Sequence, residues 1–427
     1  MLSEFFAGDR RRLRLDRELA SLAPLDRDFA RELVLGVLRR RSRLDAEIAG
    51  ASRFPLDRLR PPLREILEVS LLQMRFLDRV PTRAIVHEAV EMARALAGEG
   101  ASRLANGILR SLLRAPGPAL PEEDAATLAV ASSHPEFLVA RWVARFGLEK
   151  TRAIVAADSE RSPLHLLCDP RRRNREEVAA DLLGEQVETA PHPLVENGLI
   201  VVSGNPLRTA AFEAGAFYVA DAGSQALPSL LPPGRTLADL AAAPGGKTAA
   251  ALFSGRFERV VSADRSTTRL SFLAQNRSRL SLGDAFPVAA DLLAPPFREG
   301  AFDRVLLDAP CSGTGTLRKN PEIRYRLSAA AIESLAAQEL RLLSAAADLV
   351  APGGSLLYST CSLEKEENED VAEKFLARAS GFRAQPIEAA GPLRARVQGH
   401  RFRIFPDEGA DGFTAHLFRR EGVSRGA

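Results

Sequence analysis

The chain has 427 residues, too many for one ordinary domain, so two or three are expected. Hydrophobic residues make up 46% and charged residues 26%, as in a globular protein with a full core, and a net charge of +3 does not by itself demand a nucleic-acid partner. Three cysteines exclude a disulfide framework, and no apolar run approaches the roughly 20 residues needed to cross a bilayer.

Residues 1–120 read as a helical domain. "DRDFARELVLGVLRRRSRLDAEI" places Phe29, Leu33, Val37 and Leu44 at helical spacing. "LREILEVSLLQMRFL", "PTRAIVHEAVEMARAL" and "SRLANGILRSLLR" repeat the pattern, with Pro81 suited to a first helical turn. "APGPALPEED", from Ala115 to Asp124, is a candidate linker. Arginines cluster at Asp9–Arg17, Arg39–Arg43 and Arg171–Arg175. Such runs are solvated faces or phosphate contacts, and the sequence favours neither. Residues 121–204 read as a linker helix and a small α+β unit. "HPEFLVARWVARFG" is helical, with Trp142 on its apolar side, and "PLHLLCDP", "NREEVAADLL" and "GLIVVSG" read strand, helix, strand. "FYVADAGSQALPSLL" is expected to be a helix that opens a third domain, residues 205–427.

In that domain "TLADLAA", "ERVVSAD", "FPVAAD", "FDRVLLDAP" and "GSLLYSTCS" are short apolar strands separated by helices, notably Ser266 to Leu282 and Ser328 to Leu349. The alternation predicts an α/β, Rossmann-like domain with a mostly parallel sheet. Ligands of such sheets bind at the carboxyl ends of the strands.

"LADLAAAPGGKT" is strand, glycine turn, helix. A phosphate loop would need a glycine five residues before the last one, and a dinucleotide loop would need three spaced glycines; neither pattern is present. The remaining reading is S-adenosylmethionine, with its carboxylate at the helix start. Asp264, Asp291 and Asp308 follow at three successive strand ends. Acids there suit the ribose hydroxyls, the adenine amine and the cationic sulfonium, and would repel a pyrophosphate. A turn residue is the alternative for any single one.

Cys311 and Cys361 stand just past two strand ends, in "VLLDAPCSGTG" and "LLYSTCSLE", whereas Cys168 lies inside an apolar strand and reads as a core residue. Two strand-end thiols suit methylation of a pyrimidine carbon. A thiolate adding to C6 of cytosine makes C5 nucleophilic, and a second group must then remove the C5 proton so that the first thiolate can leave. "SLEKEENEDVAEKFL" is expected to start a helix whose positive end faces Cys361. Asp308 is placed to contact the N3/N4 edge of cytosine, with Lys247 holding Asp308.

"LAAAPGGKT", "LLDAPCSGTG", "YSTCSLEKEEN" and "DGFTAHLFRR" resemble the motifs of the NOL/NOP/Sun family of RNA (cytosine-C5)-methyltransferases, and "YVADAGSQAL" resembles the helix at the entrance to that family's catalytic domain. "DRDFARELVLGVLRR", "VPTRAIVHEAVEMA" and "ANGILR" resemble a NusB-like RNA-binding domain. The combination is similar to the family's bacterial RsmB type. The resemblance implies a seven-stranded methyltransferase sheet with the last strand antiparallel, preceded by a ferredoxin-like unit. It implies Cys361 as nucleophile and Cys311 as the cysteine needed for release. It also implies an S-adenosylmethionine pocket of Ala241, Ala242, Ala243, Pro244, Gly245, Gly246, Lys247, Asp264, Asp291 and Asp308, and no metal. Four positions depart from the family pattern: Ala241 replaces a common cysteine, Cys168 and Pro170 replace an arginine and an asparagine, and Asp407 replaces a histidine.

The implied substrate is 16S ribosomal RNA, at a loop nucleotide that leaves its stack. A monomer in the cytoplasm, with no membrane association, is expected; free thiols persist there. The alternatives are a cytosine-C5 enzyme acting on tRNA or another RNA, a DNA enzyme using Cys311 as nucleophile, a non-catalytic NusB-like RNA-binding factor, and an exocyclic-amine methyltransferase. The last would want Asn/Asp-Pro-Pro-Tyr where this chain has "DAPC".

Overall fold

The computed structural model describes residues 2–7, 15–59, 61–77, 80–114 and 120–422. Most of the first arginine cluster (residues 9–14) and the first half of the candidate linker (115–119) lie outside the described residues. The chain divides into two compact units, one of residues 1–161 with 317–326, the other of residues 162–316 with 327–427.

The first unit is helical. Its long helices are Pro24–Ala51, Leu63–Phe76 and Thr82–Arg114, followed by Ala125–Ser132, Glu136–Phe146 and Leu148–Ser159. The Thr82–Arg114 stretch is two helices joined at Gly98, whose φ of 85° a side chain would resist. Val37, Leu38, Leu44, Leu67, Leu71 and Leu109 are fully buried in its core. Phe29, expected on the apolar face of the first long helix, is exposed instead.

The inserted segment 317–326 is fastened to this unit by its polar groups. Arg324 donates to the carbonyls of Arg39, Ser132, Ser133 and Asp158. Tyr325 donates its hydroxyl to Leu38 O, Arg39 donates to Arg318 O, and Arg318 donates to Ala157 O. The cluster Arg39–Arg43 is therefore mostly internal. Arg40 donates to Ser159 O, and Arg41 pairs with buried Glu68 and lies over the Phe6 ring. Arg43, the exposed member, is 3.8 Å from Glu47.

The second unit holds two sheets. The smaller comprises β1 (His165–Cys168), β2 (Glu188–Pro191), β3 (Gly198–Ser203) and β4 (Phe217–Val219), all antiparallel in the order β2-β3-β1-β4. The helix Arg175–Gly184 packs Val178 and Leu182 on Leu166, Cys168 and Phe217, as a ferredoxin-like unit requires. β4 corrects the sequence reading, which made "FYVADAGSQALPSLL" one helix. Only Ala222–Ala226 is α-helical; Phe217–Val219 pairs with β1, and Asp221 caps the helix by accepting from Gly223 N–H.

The larger sheet comprises β5 (Gly234–Leu240), β6 (Phe257–Asp264), β7 (Ala285–Ala289), β8 (Phe302–Asp308), β9 (Val350–Thr360), β10 (Phe382–Ala384), β11 (Val397–Gln398), β12 (Arg401–Ile404) and β13 (Phe413–Arg420). β7, β6, β5, β8 and β9 lie side by side and parallel, and β13 runs antiparallel beside β9 with β12 beyond it. These are the seven expected strands, with β10 and β11 as short additions at the β13 side. The apolar runs Val305–Leu307 and Leu356–Tyr358 are completely buried, as central parallel strands must be. The interstrand helices Thr267–Arg279 and Ala329–Asp348 are capped by Ser266 and Ser328. No helix among the described residues is long and apolar enough to cross a membrane.

Candidate active site at the carboxyl ends of the parallel strands

β5 ends at Leu240 and runs into the glycine loop. Gly245 takes a φ of 111° and caps the helix Gly246–Phe253. A Cβ on Gly246 would sit 3.4 Å from both Ala220 and Tyr218, so the loop is already close-packed on one side. Beneath the loop Asp239 is completely buried. Its Oδ2 accepts from Thr248, which also meets Ser262, while its Oδ1 has no partner. Burial raises this carboxyl to about 6 against the hydrogen bond from Thr248, which lowers it. Sequence reasoning passed over Asp239, because an acid inside an apolar strand carries no local signal of its role.

Asp264, at the end of β6, is buried and accepts from Ala243 N–H and Ser266 N–H, with Arg269 at 3.5 Å. It ties the glycine loop to the end of the next strand. Asp291 lies exposed beyond β7 and accepts from Leu293 N–H, the geometry of a turn aspartate. Among the described residues no hydrogen bond or ion pair joins it to the other two acids. Asp308 closes β8. Its Oδ2 is 2.6 Å from Lys247 Nζ and its Oδ1 accepts from Ser359 on β9. Burial disfavours the Lys247 ammonium, but the adjacent Asp308 outweighs that and raises it overall. The pairing of Lys247 with Asp308 expected from the sequence is present.

β8 and β9 run parallel with Asp308 opposite Ser359, so the turns after them leave side by side. That register brings Cys311 Sγ to 3.3 Å from Cys361 Sγ, and Gly315 N–H donates to Cys361 O. The Cys311 thiol is pushed well above the ordinary range, first by its hydrogen bond with Cys361 and then by burial. Cys168, by contrast, is fully buried in β1, and burial pushes its thiol up to about 12.

The helix expected to start at Cys361 begins only at Glu369. Residues 362–368 form a loop held by side chains: Asn368 donates to Ser362 O and Glu364 O and accepts from Thr360. The helix dipole therefore does not reach Cys361, since its effect fades within the first turn. Glu367 is buried between the two cysteine loops. It accepts from Ser312 N–H at 2.6 Å, from Ser312 Oγ and from Ser362 Oγ. Behind it Tyr358 donates toward Glu367 O and meets Glu339 Oε2 at 3.1 Å.

A five-stranded parallel array, an antiparallel strand beside it and a glycine turn after the central strand define an α/β methyltransferase fold. The 16S rRNA methyltransferase RsmB/F family model matches residues 230–419, the NusB family model residues 4–114, and the RsmF/B-like ferredoxin-like domain model residues 134–208. The "Probable ribosomal RNA small subunit methyltransferase B" of Synechocystis is 35% identical over 389 residues, covering 88% of this chain and 87% of that protein. The ribosomal RNA small subunit methyltransferase B of Vibrio cholerae is 32% identical, covering 92% of this chain and 89% of that protein. The crystal structure of PH0851 superposes with a TM-score of 0.75 at 25% identity, covering 95% of this chain and 93% of that one. The chain belongs to the RsmB/F family of 16S rRNA methyltransferases.

Proposed function

We propose that the chain methylates C5 of a cytosine in 16S ribosomal RNA, with S-adenosylmethionine as donor, through a transient bond between Cys361 and C6 of the base. The observation that carries this reading is the 3.3 Å approach of two sulfurs at adjacent strand ends, beside the Lys247–Asp308 pair. S-adenosylmethionine supplies an electrophilic methyl when bound. The residues that would hold it are Ala241 to Lys247, Asp264 and Asp291, with Asp308 at the reacting end. The unpartnered buried oxygen of Asp239 suits a hydrogen-bond donor of the ligand, and the helix start above it, with its backbone N–H groups, suits the ligand's carboxylate.

C5 of cytosine is a weak nucleophile. The Cys361 thiolate adds to C6 and places electron density on C5, which can then accept the methyl. Asp308, held by Lys247, accepts from the N4 amine and so favours cytosine over uracil. After transfer C5 carries both the methyl and its original proton. Loss of that proton to a base re-forms the C5–C6 double bond, and the C6–S bond returns its electron pair to Cys361. Cys311, protonated and in contact with Cys361, donates to the departing sulfur.

Residues 1–120 and 121–204 supply affinity and position through phosphate contacts, and residues 205–427 carry the chemistry. The substrate is an unstacked loop nucleotide, met by a monomer in the cytoplasm. Trapping on RNA that carries 5-fluorocytosine tests the assignment. An adduct lost in Cys361→Ala and kept in Cys311→Ala is expected. An adduct that survives Cys361→Ala and disappears in Cys311→Ala would make Cys311 the nucleophile and overturn it.

A further inference from the structure

Two loops must hold two sulfurs together: Thr314 meets Ser362 Oγ at 3.3 Å and accepts from Leu363 N–H at 2.9 Å, and the Glu367 side chain joins the residues next to both cysteines. Cys311 is followed by Ser312, and Cys361 by Ser362. The Glu367 carboxylate takes the Ser312 N–H on Oε1 at 2.6 Å, and the hydroxyls of Ser312 and Ser362 on Oε2. The Ser312 and Ser362 hydroxyls also meet each other at 3.2 Å. All three residues are buried. We propose that Glu367 is a positioning residue of the two-thiol site: its carboxylate clamps the Cys311 loop to the Cys361 loop, so that Cys311 stands against Cys361 when Cys361 leaves the base. This rests on the covalent reading given above.

The surroundings support an electrostatic part as well as a mechanical one. The ionisable groups around Cys311 are Tyr358 from β9, Cys361 and Glu367 from the loop after it, and Glu339 from the helix Ala329–Asp348. Glu364 acts on Glu367, and Cys361 acts on Lys247. Cys361 has the largest influence on the Cys311 thiol, through its hydrogen bond; burial follows, and the charges of Glu367 and Glu339 add to the rise. Burial also raises the Glu367 carboxyl, against the lowering effect of its three donors. Glu339 is held protonated: burial comes first, the negative Glu367 next, and together they push it up to about 10. Glu367 is thus the acid of the pair with three donors on its two oxygens, and those donors are the neighbours of both cysteines.

Glu367→Gln removes the charge and leaves one acceptor oxygen where two served three donors. In wild-type background with target RNA, the covalent RNA–protein complex is expected to accumulate roughly 10- to 100-fold, because release slows more than attack. Glu367→Asp, which keeps the charge, is expected to restore part of the release rate. Ser362→Ala removes the hydroxyl that ties Glu367 to the Cys361 loop, together with its contacts to Ser312, Thr314 and Glu364 N–H, and gives a smaller accumulation because Ser312 still holds Glu367; it serves if Glu367→Gln is too unstable to purify. A second readout needs no turnover. In a Cys361→Ala background, the rate at which methyl methanethiosulfonate modifies Cys311 is followed against pH by mass spectrometry. Glu367→Gln is expected to move the midpoint to lower pH, because a neighbouring negative charge has gone. An unmoved midpoint together with an unchanged release rate overturns the proposal. So does an equal loss in Glu367→Asp and Glu367→Gln spread evenly over attack and release, which marks a purely structural residue. If the midpoint moves but wild-type protein forms no complex with RNA, the clamp stands and the covalent reading fails.

Discussion

Two regions bury charge, and they hold it in opposite ways. In the helical unit Arg324 is 3% exposed, yet four backbone carbonyls receive its guanidinium. Burial lowers it only to about 10, so it stays charged at neutral pH. Behind the thiols, Glu339 and Glu367 are wholly buried acids; one takes up a proton and the other is met by N–H and O–H donors. The contrast separates two uses of buried charge. A cation spread over carbonyl dipoles fixes a chain segment. A carboxylate next to reactive sulfur sets where protons reside.

Substitutions sharpen this contrast, and the largest effect is expected in the helical unit. Arg324→Met leaves its carbonyls unpaired in the interior and is expected to cost roughly 3–5 kcal/mol of stability, read by chemical denaturation. A loss below about 1 kcal/mol would mean that the carbonyls find other partners. Lys247→Met leaves Asp308 without its cation and is expected to lower kcat/KM about 100-fold with little change in unfolding. Glu339→Gln should act on pH dependence rather than on the reaction. The folded-state acid sits at about 10, above its unfolded value, so its contribution is intact below the unfolded value and is lost as pH rises toward 10. The variant is therefore expected to gain stability over wild type as pH rises from 5 to 9, by at most roughly 1.4 kcal/mol per pH unit, with no gain at low pH. A gain independent of pH would show that Glu339 ionises freely in the folded protein. The smallest effect falls on the third thiol. Cys168→Ala removes one buried sulfur from the β1 core and is expected to cost about 1 kcal/mol with turnover unchanged.

The strands, the glycine turn and both strand-end cysteines were legible because each is a local pattern: a short apolar run, a glycine turn, a residue just past a strand. Lys247 and Asp308 could be paired because Asp308 ends one strand and Lys247 opens the helix that follows another, in a sheet that the alternation makes parallel. Glu367 was not legible. "EKEENED" has the composition of a helix first turn, and the side-chain bonds of Asn368 and Ser362 that hold it as a loop leave no trace in that composition. Phe217–Val219 was misread because three residues that pair with β1 are too few for a periodicity. The arginines at 39–41 were equally opaque: a run of cations looks the same whether its partners are phosphates or carbonyls far along the chain.

The inserted segment 317–326 also bears on how the protein can be divided. The backbone passes between the two units three times, at 161–162, 316–317 and 326–327. No single cut yields both halves whole. A fragment starting at residue 205 would carry Leu317, Ile323, Arg324 and Tyr325 with nothing to receive them, a greasy, cationic loop that begins six residues after Cys311. Dissecting RNA affinity by truncation therefore calls for replacing that loop with a short polar turn, so that a fault in the excised half is not mistaken for a property of the missing one.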